Sequence, residues 1–180
     1  GECIVLTSGE HAAVVDCGGS FVTHDAGKSA LQYLGGECRR SIDALILTHL
    51  HTDHANGAAQ LLSRVRVGTL YLPRETEETS LLAEILSAAE RQGTRVEYVT
   101  ENMTLPLGTS LLTVWPPLLP ESEDANENGL ILEAAQGNFE AFILGDAPSK
   151  AEKALVASSP MPDAEVLFVA HHGSNTSTCK

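Results

Sequence analysis

The sequence lacks any apolar run long enough to cross a membrane, and it has few positively charged residues. A membrane-spanning helix takes roughly 20 consecutive apolar residues, and the apolar stretches here are much shorter. The 11 lysines and arginines are outnumbered by 24 aspartates and glutamates, which gives a net charge of −13. So acidic a chain lacks the basic surface that non-specific nucleic-acid binding needs, although bound metal ions can invert the local sign of the charge.

Cysteine is also scarce, and its spacing excludes two kinds of site. Cys3, Cys17, Cys38 and Cys179 form no C-x-x-C pair, so neither a structural zinc site nor a thioredoxin-like motif is indicated. The first residues have no signal-peptide pattern. Because Gly1 leads directly into a strand-like stretch and the most polar motif lies just before Lys180, we expect this sequence to be a piece of a longer chain.

Short strand-like runs alternate with a few helices along the chain. Residues 2–8 and 11–17 predict a hairpin around Gly9 and Glu10, and Gly137 with Asn138 predicts a second tight turn. The other predicted strands are 41–49, 67–73, 95–99, 110–115, 129–135, 139–145 and 164–170, of which 41–49 and 164–170 read as buried. The predicted helices are 28–34, 58–65, 78–92 and 149–157, with Gly93 ending the third and an acidic surface loop at 120–128. This pattern favours one α/β domain of layered sheets and helices spanning residues 1–180.

The most informative stretch is the sequence THLHTDH, which follows the predicted strand 41–49. Side chains two residues apart share one side of a strand, so His49 and His51 are expected to lie together. A turn at Thr52 would let Asp53 and His54 face a second point nearby. Histidine and carboxylate in this pattern indicate metal ligands, whereas the competing interpretation is a polar loop with surface histidines.

Two further candidate groups also stand at the ends of predicted strands. Asp146 closes one strand, although an aspartate before Ala-Pro-Ser equally suits the N-cap of a helix. His171 and His172 close another strand and could instead be an ordinary pair of surface histidines. Asp16, at the end of VVDCGG, either orients a ligand histidine from behind or caps the glycine turn. Recurrence at strand ends favours the ligand interpretation for Asp146 and the histidine pair.

These residue types also indicate which metal the chain holds. Neutral imidazole and carboxylate suit zinc, manganese or iron, and the absence of thiolate argues against a soft site built from cysteine. Two divalent ions about 3.5–4 Å apart would clamp both oxygens of a displacement reaction, as in two-metal phosphatases.

The motif THLHTDH resembles the HxHxDH signature of the metallo-β-lactamase superfamily. The ordered set VVDCGG, ALILTHLHTDHANG, NENGLILEA, FILGDA and VLFVAHHGSNTS is similar to the extracytoplasmic domain of the ComEC family of DNA-uptake competence channels, over residues 1–178. Gly1-Glu2 resembles the tail of that family's Gly-Gln-Gly-Asp opening. The resemblance implies a four-layer αββα sandwich with metals at one edge.

The resemblance also implies how the ligands divide between two ions. His49 and His51 would bind one metal, and Asp53, His54 and one of His171/His172 the other, with Asp146 bridging. True β-lactamases carry another histidine between the motif and the aspartate, but no histidine lies between His54 and His171 here.

Departures from the family pattern bear on the choice of metal and on the substrate. The carbonyl oxygen of Asn128 could replace the missing histidine, which would shift the preference toward manganese or magnesium, and β-lactams are not expected to be substrates. The family usually has serine at Gly129 and threonine at Cys17. Ser174, in the last motif, is a further candidate for contact with metal or substrate.

Three functions remain open at this point. The first is a metal-dependent phosphodiesterase that degrades single- or double-stranded DNA, in which Asp53, His171 and His172 are catalytic and the histidine not on metal donates a proton or holds the phosphate. The second is a small-molecule hydrolase of a phosphocholine-type ester, lactone or thioester. The third is a non-catalytic binding module that the metal stabilises. Motif order favours the first, and the net charge favours the others.

The resemblance further implies a cellular setting. The ComEC family carries this domain on a polytopic channel, so we expect the parent protein to lie in the cell membrane with this domain on the outer face. The membrane channel portion of the same protein would then be its partner, and would supply DNA at high local concentration.

Overall fold

Ten strands in two five-stranded sheets make up the centre of the computed structural model, which describes residues 1–20, 25–74, 79–119, 122, 124–158 and 163–178. The first sheet has the order β1 (Ile4–Ser8), β2 (His11–Val15), β3 (Ser41–Ile46), β4 (Arg66–Pro73), β5 (Arg95–Val99). The strands of the second are β6 (Met103–Leu107), β7 (Ser110–Trp115), β8 (Ile131–Gln136), β9 (Phe139–Ile143) and β10 (Val166–Phe168), and they lie side by side in sequence order. The helices are α1 (Ala26–Gly36), α2 (Thr52–Ala55), α3 (Ala58–Arg64), α4 (Ser80–Gln92) and α5 (Ser149–Ser158).

Three apolar clusters hold these elements in four layers. Helices α1, α3 and α4 pack on one face of the first sheet, through side chains such as Leu34, Leu62 and Ile85. The second cluster lies between the two sheets, and the third joins α5 to the outer face of the second sheet, where Phe142 lies. The predicted αββα sandwich is therefore confirmed.

Strand β2 shows why its residues suit a central position. Ala12 and Val14 belong to the cluster under the helices, whereas Ala13 and Val15 belong to the cluster between the sheets. Side chains alternate between the two faces of a strand, so a strand covered on both faces must be apolar at every position. Strands β2 to β5 are parallel, and their carboxyl ends meet at one edge.

The two edge strands of the second sheet, β6 and β10, differ most from the sequence prediction. Strand β6 was not predicted, because its Pro106 argues against a central strand, but an edge strand tolerates proline. The prediction of a buried strand over 164–170 is wrong in length and burial. Only Val166–Phe168 forms a strand, it pairs with β9 alone, and all of its residues are exposed.

Other bounds agree with the prediction to within a few residues. The hairpin around Gly9 and the ending of α4 at Gly93 in a left-handed conformation are confirmed. Strand β3 ends at Ile46, three residues earlier than predicted. Glu78, the predicted start of α4, lies outside the described residues, as do 120, 121 and 123 of the predicted acidic loop. Within the described ranges, no helix has the length and apolarity that crossing a membrane requires.

We predict that the stability of the outer layer depends on Phe142 far more than on Phe139 of the same strand. Phe142 is 2% exposed and stacks on Trp115, whereas Phe139 is 49% exposed. Phe142→Ala should lower the free energy of unfolding by about 3–5 kcal/mol, because it leaves a cavity. Phe139→Ala should change it by no more than about 0.5 kcal/mol. Urea denaturation of both variants measures this, and equal losses would contradict the assignment of layers.

Candidate metal site

The site begins where β2 ends, in a backbone turn at Asp16. Asp16 has a φ of 55°, in the left-handed region that a residue other than glycine rarely adopts. Two residues later, a side chain at Gly18 would overlap the carbonyl group of Asp53. Glycine is therefore required at position 18, and the VVDCGG motif reflects the close approach of this turn to α2.

The carboxylate of Asp16 is fully buried and accepts three hydrogen bonds. The backbone N–H and the hydroxyl of Thr48 each donate to it at 2.7 Å. Nδ1 of His54 donates at the same distance, 2.7 Å. This carboxylate therefore joins the end of β2 to the residues after β3 and to α2, and it leaves Nε2 of His54 facing the opposite way.

The two histidines that follow β3 lie together, as their spacing predicted, although the strand has already ended. Nε2 of His49 is 3.1 Å from Nδ1 of His51. His49 is buried and His51 is exposed. The hydroxyl of Thr48 lies 3.1 Å from Nδ1 of His49 and holds its ring from behind.

The chain turns at Thr52, where the four-residue helix α2 begins. Asp53 and His54 both belong to this single turn, with Nε2 of His54 3.9 Å from Oδ2 of Asp53. The His54 side chain is completely buried, whereas that of Asp53 is 44% exposed. The turn that the sequence predicted at Thr52 is present, and it takes the form of a short helix.

Asp146, after β9, places its carboxylate among the histidines. Its Oδ1 lies 3.0 Å from Nε2 of His54, and its Oδ2 lies 3.7 Å from Nε2 of His49. Only 3% of the side chain is exposed. These contacts favour a role as a shared ligand over a role only as a helix cap.

His171 and His172 reach the same place from the short segment Ala170–Gly173, whose backbone is kinked and not helical at the two histidines. Both have a φ of 52°, and such strained backbone is concentrated at functional sites. The N–H of His171 donates to the carbonyl of Gly145 at 2.9 Å, which fixes the turn beside Asp146. Nε2 of His172 lies 3.2 Å from Oδ2 of Asp53, and Nε2 of His171 lies 3.7 Å from Oδ2 of Asp146.

These side chains form two sets whose ligand atoms lie within 4.8 Å of one another. One set has three residues: His49, His51 and Asp146. The other has four: Asp53, His54, Asp146 and His172. Asp146 belongs to both sets, and His171 belongs to neither.

The charges of the site follow from burial and from these neighbours. Burial, with the positive charge of His54, lowers the pKa of His49 to about 3, so its imidazole is neutral. Burial also acts to lower the pKa of His54, but the carboxylates of Asp146 and Asp16 outweigh it and raise that pKa to about 10. Burial opposes ionisation of Asp146, yet His54 lowers its pKa to about 2.

The pKa values of Asp53 and Asp16 are shifted in opposite directions. For Asp53, the positive charge of His54 outweighs burial and lowers the pKa, so Asp53 is a carboxylate at neutral pH. For Asp16, burial is the larger influence and raises the pKa, although the hydrogen bonds from His54 and Thr48 act against it.

Asn128 and Ser174 are the remaining predicted residues, and neither belongs to the two ligand sets. Asn128 is 7% exposed and its Nδ2 donates to the carbonyl of Ser122 at 2.6 Å, while its Oδ1 is buried without a protein partner among the described residues. It lines a pocket of about 100 Å³ with Arg74, Val99, Thr100, Pro116, Pro117 and Leu119. The Ser174 hydroxyl lies 3.0 Å from that of Thr176, which is 3.4 Å from Nδ1 of His171.

Two residues of the site were missed by the sequence analysis. Thr48 was part of the quoted motif, and only the fold reveals that it contacts both Asp16 and His49. Glu2 is close to Asp16 and His54; burial and the charge of Asp16 raise its pKa to about 7. Asp16 and His54 are already hydrogen-bonded to each other, which argues against a third ion there.

The comparison with known proteins gives the family of this chain. Residues 1–151 match the model of the metallo-beta-lactamase superfamily. The chain belongs to this superfamily. A relative, ComE operon protein 3 of Bacillus subtilis (strain 168), is 30% identical over 151 residues, which are 84% of this chain and 20% of that protein. The chain thus spans about a fifth of the relative's length, and the resemblance that its motifs predicted is confirmed.

Solved structures share the superfamily fold at low identity. CmlA, a diiron beta-hydroxylase from Streptomyces venezuelae, has a TM-score of 0.59 at 17% identity, over 93% of this chain and 32% of CmlA. The metallo-beta-lactamase MIM-1 from Novosphingobium pentaromativorans has a TM-score of 0.59 at 14% identity, over 92% of this chain and 68% of MIM-1. Metallo-beta-lactamase-fold proteins of different chemistry thus share this architecture, so the substrate must be argued from the site itself.

We predict that Asp16 controls the protonation of His54. In Asp16→Asn a buried negative charge in contact with the imidazole is lost, so the pKa of His54 should fall from about 10 by about 1–3 units. NMR of the imidazole nitrogens in metal-free protein measures the change. Asp43→Asn, which removes the exposed carboxylate beside His11, is the matched control and should leave His54 unaffected. An unaltered His54 titration in the Asp16 variant would contradict the geometry.

Proposed function

We propose that this chain is a metal-dependent phosphodiester hydrolase domain that acts on DNA. The observation that carries the proposal is the pair of ligand sets that share Asp146. Superfamily members use divalent metals, often two, and a bridging carboxylate between two imidazole-rich sets suits a pair of ions.

The donor atoms fit such ions in type and in number. Nε2 of His54 and Oδ1 of Asp146 are buried and form an ion pair at 3.0 Å, and neither has a hydrogen-bond partner among the described residues. Buried polar atoms usually have hydrogen-bond partners, and a cation between these two would replace the proton that they share. The set contains imidazole and carboxylate but no thiolate, which suits zinc or manganese.

We assign His49, His51 and Asp146 to one ion, and Asp53, His54, Asp146 and His172 to the other. When bound, the two ions supply positive charge that polarises a phosphoryl oxygen and lowers the pKa of an attacking water. Asp53 stays ionised, and its Oδ2 lies 3.2 Å from Nε2 of His172, so the two side chains can face one ion. Asp16 orients His54 from behind, because it accepts the hydrogen bond of Nδ1 and leaves Nε2 for the ion.

His171 is the histidine left for acid catalysis. Its Nε2 faces Asp146, its side chain is 36% exposed, and Thr176 holds its Nδ1. It can therefore reach a substrate and donate a proton to the leaving oxygen or hold the phosphate. The hydroxyl of Ser174 reaches the His171 ring through Thr176, and the N–H of Ser174 donates to the carbonyl of His171 at 2.9 Å.

Asn128 has a role in either metal or substrate binding under this proposal. Its buried Oδ1 needs a partner, and an oxygen ligand there would favour manganese or magnesium over zinc. The backbone places it close to the ligands, because the N–H of Leu130 donates to the carbonyl of Thr48, beside His49, at 2.8 Å.

The choice of DNA rests on the order of the motifs and on the ComE operon relative. The net charge of −13 opposes it, but charges beyond roughly 8–10 Å are screened at physiological salt, and two divalent ions dominate the local field. We further propose that the parent protein is a membrane channel that presents DNA to this domain on the outer face. A parent reading frame without apolar spans of about 20 residues would contradict that setting.

A small-molecule metallo-hydrolase is the second candidate. The pocket of about 100 Å³ lined by Asn128 and Arg74 favours it, since a pocket that holds several waters can hold a compact organic ester. The acidic surface does not oppose such a substrate.

The first prediction from this proposal concerns metal content. Wild-type protein should retain two manganese or zinc ions after dialysis, and its melting temperature should rise with added metal. The variant His51→Ala/Asp146→Ala should retain none, because it loses the ligand shared by both sets. His11→Ala, which removes an exposed histidine, serves as the control. Elemental analysis measures the content, and stoichiometric metal in the double variant would overturn the ligand assignment.

The second prediction separates the substrates. With manganese, wild-type protein should cleave single-stranded DNA and bis-p-nitrophenyl phosphate, and EDTA should stop both reactions. Nitrocefin should not be turned over at about 1 per second or faster. His171→Gln should keep both ions but lower kcat by about 100-fold or more, whereas His172→Gln should lose an ion. Fully metallated protein that hydrolyses a lactone or thioester but neither phosphodiester would favour the small-molecule alternative, and one that hydrolyses none would indicate a binding module.

A further inference from the structure

We propose that Cys3 and Cys17 form a reversible disulfide that restrains α2, the helical turn carrying Asp53 and His54. This inference does not depend on the metal or on the substrate. It rests on the backbone at the start of β1 and the end of β2, on the apolar cluster that both side chains border, and on the hydrogen bonds around them.

The backbone turn at Asp16 brings the two cysteines to the same face of the sheet. In the β1–β2 register Ile4 is opposite Val15, so continuing it by one residue places Cys3 opposite Asp16. Opposite residues on paired strands share a face, but the positive φ of Asp16 interrupts the alternation. Cys17 instead lies under the helical layer, and Cys3 packs against the same cluster.

The separation also suits a disulfide. Opposite residues have Cα atoms about 4.5–5.5 Å apart and one step along a strand adds about 3.3 Å, so the diagonal remains within the limit of about 7 Å for a disulfide. The N–H of Gly18 donates to the carbonyl of Glu2 at 2.8 Å, which holds the segments that carry the two cysteines side by side, and both cysteines are free.

Hydrogen bonds connect this pair to α2. The N–H of Glu2 donates to the carbonyl of Asp53 at 2.9 Å, and the N–H of Cys17 donates to that of His54 at 2.7 Å. The N–H of Gly57, just after α2, donates to the carbonyl of Cys17 at 2.7 Å. A covalent bond between Cys3 and Cys17 would hold together the two segments on which α2 rests.

Exposure sets the order of the chemical steps. Cys3 is partly exposed and Cys17 is buried, so Cys3 meets an external small-molecule disulfide first. The Cys3 thiolate attacks one sulfur of that disulfide, which forms a mixed disulfide and releases one thiolate. Cys17 then loses its proton and attacks Sγ of Cys3, releasing the second thiolate. The protein loses two thiol hydrogens and the external disulfide is reduced to two thiols.

The test uses the 180-residue chain carrying Cys38→Ser and Cys179→Ser, equilibrated with oxidised glutathione or with dithiothreitol. After oxidation, the tryptic peptide 1–28, which contains no internal lysine or arginine, should be lighter by two hydrogens and resist alkylation. The closed loop should raise the melting temperature by about 6–12 °C. Amide hydrogen exchange at residues 53–57 should slow. Dithiothreitol should reverse all three changes.

Cys3→Ser in the same background is the matched control, and Cys3→Ala replaces it if that protein does not fold. Oxidation should not raise the melting temperature of this variant or slow its amide exchange, because no bond between residues 3 and 17 can form. The proposal is overturned if folded protein keeps both thiols alkylatable after oxidation, or if glutathione remains on Cys3 without displacement by Cys17. Formation of the bond with unchanged exchange at residues 53–57 would overturn the restraint of α2.

Discussion

The buried carboxylate of Asp16 is the interaction on which the rest of the site depends. It accepts hydrogen bonds from Thr48 and His54 and lies in a strained left-handed turn. Through Thr48 it fixes the residue that precedes His49, and through Nδ1 of His54 it turns Nε2 toward Asp146. A buried charge is stable only when it is paired and hydrogen-bonded, so these partners and the carboxylate require one another.

The same constraint explains the concentration of charge at this edge of the sheets. Asp16, Asp53 and Asp146 surround His54, and Asp146 and Asp16 raise its pKa although burial acts to lower it. Such clustering would be unfavourable for packing alone. The clustering suits the proposed metal site, in which His54 would give up its proton when a divalent ion binds among these carboxylates. The disulfide proposed for Cys3 and Cys17 would act on the backbone beneath this cluster and leave its ligands unchanged.

Much of the fold could be predicted from the local pattern of apolar, polar and turn-forming residues. Alternation, turn glycines and the apolar face of α4 predicted most strands and helices, and strand ends were recognised as the positions of His49, Asp146 and the 171–172 pair. Short edge elements were not predictable in the same way. Strand β6 contains Pro106, and the apolar β10 is an exposed edge strand that pairs only with β9. Local sequence does not record whether a strand has one neighbour or two.

The candidate ligands could be predicted from the sequence alone, because imidazole and carboxylate at strand ends have few other uses in such a spacing. How these side chains group in space depends on the fold. His171 and His172 are adjacent and chemically identical, and the backbone turn around them directs His172 toward Asp53 and leaves His171 outside both ligand sets. Likewise, Cys3 and Cys17 border the same apolar cluster because the positive φ of Asp16 interrupts the alternation of the strand. Side-chain direction at such positions depends on backbone held by distant contacts, and no local pattern encodes it.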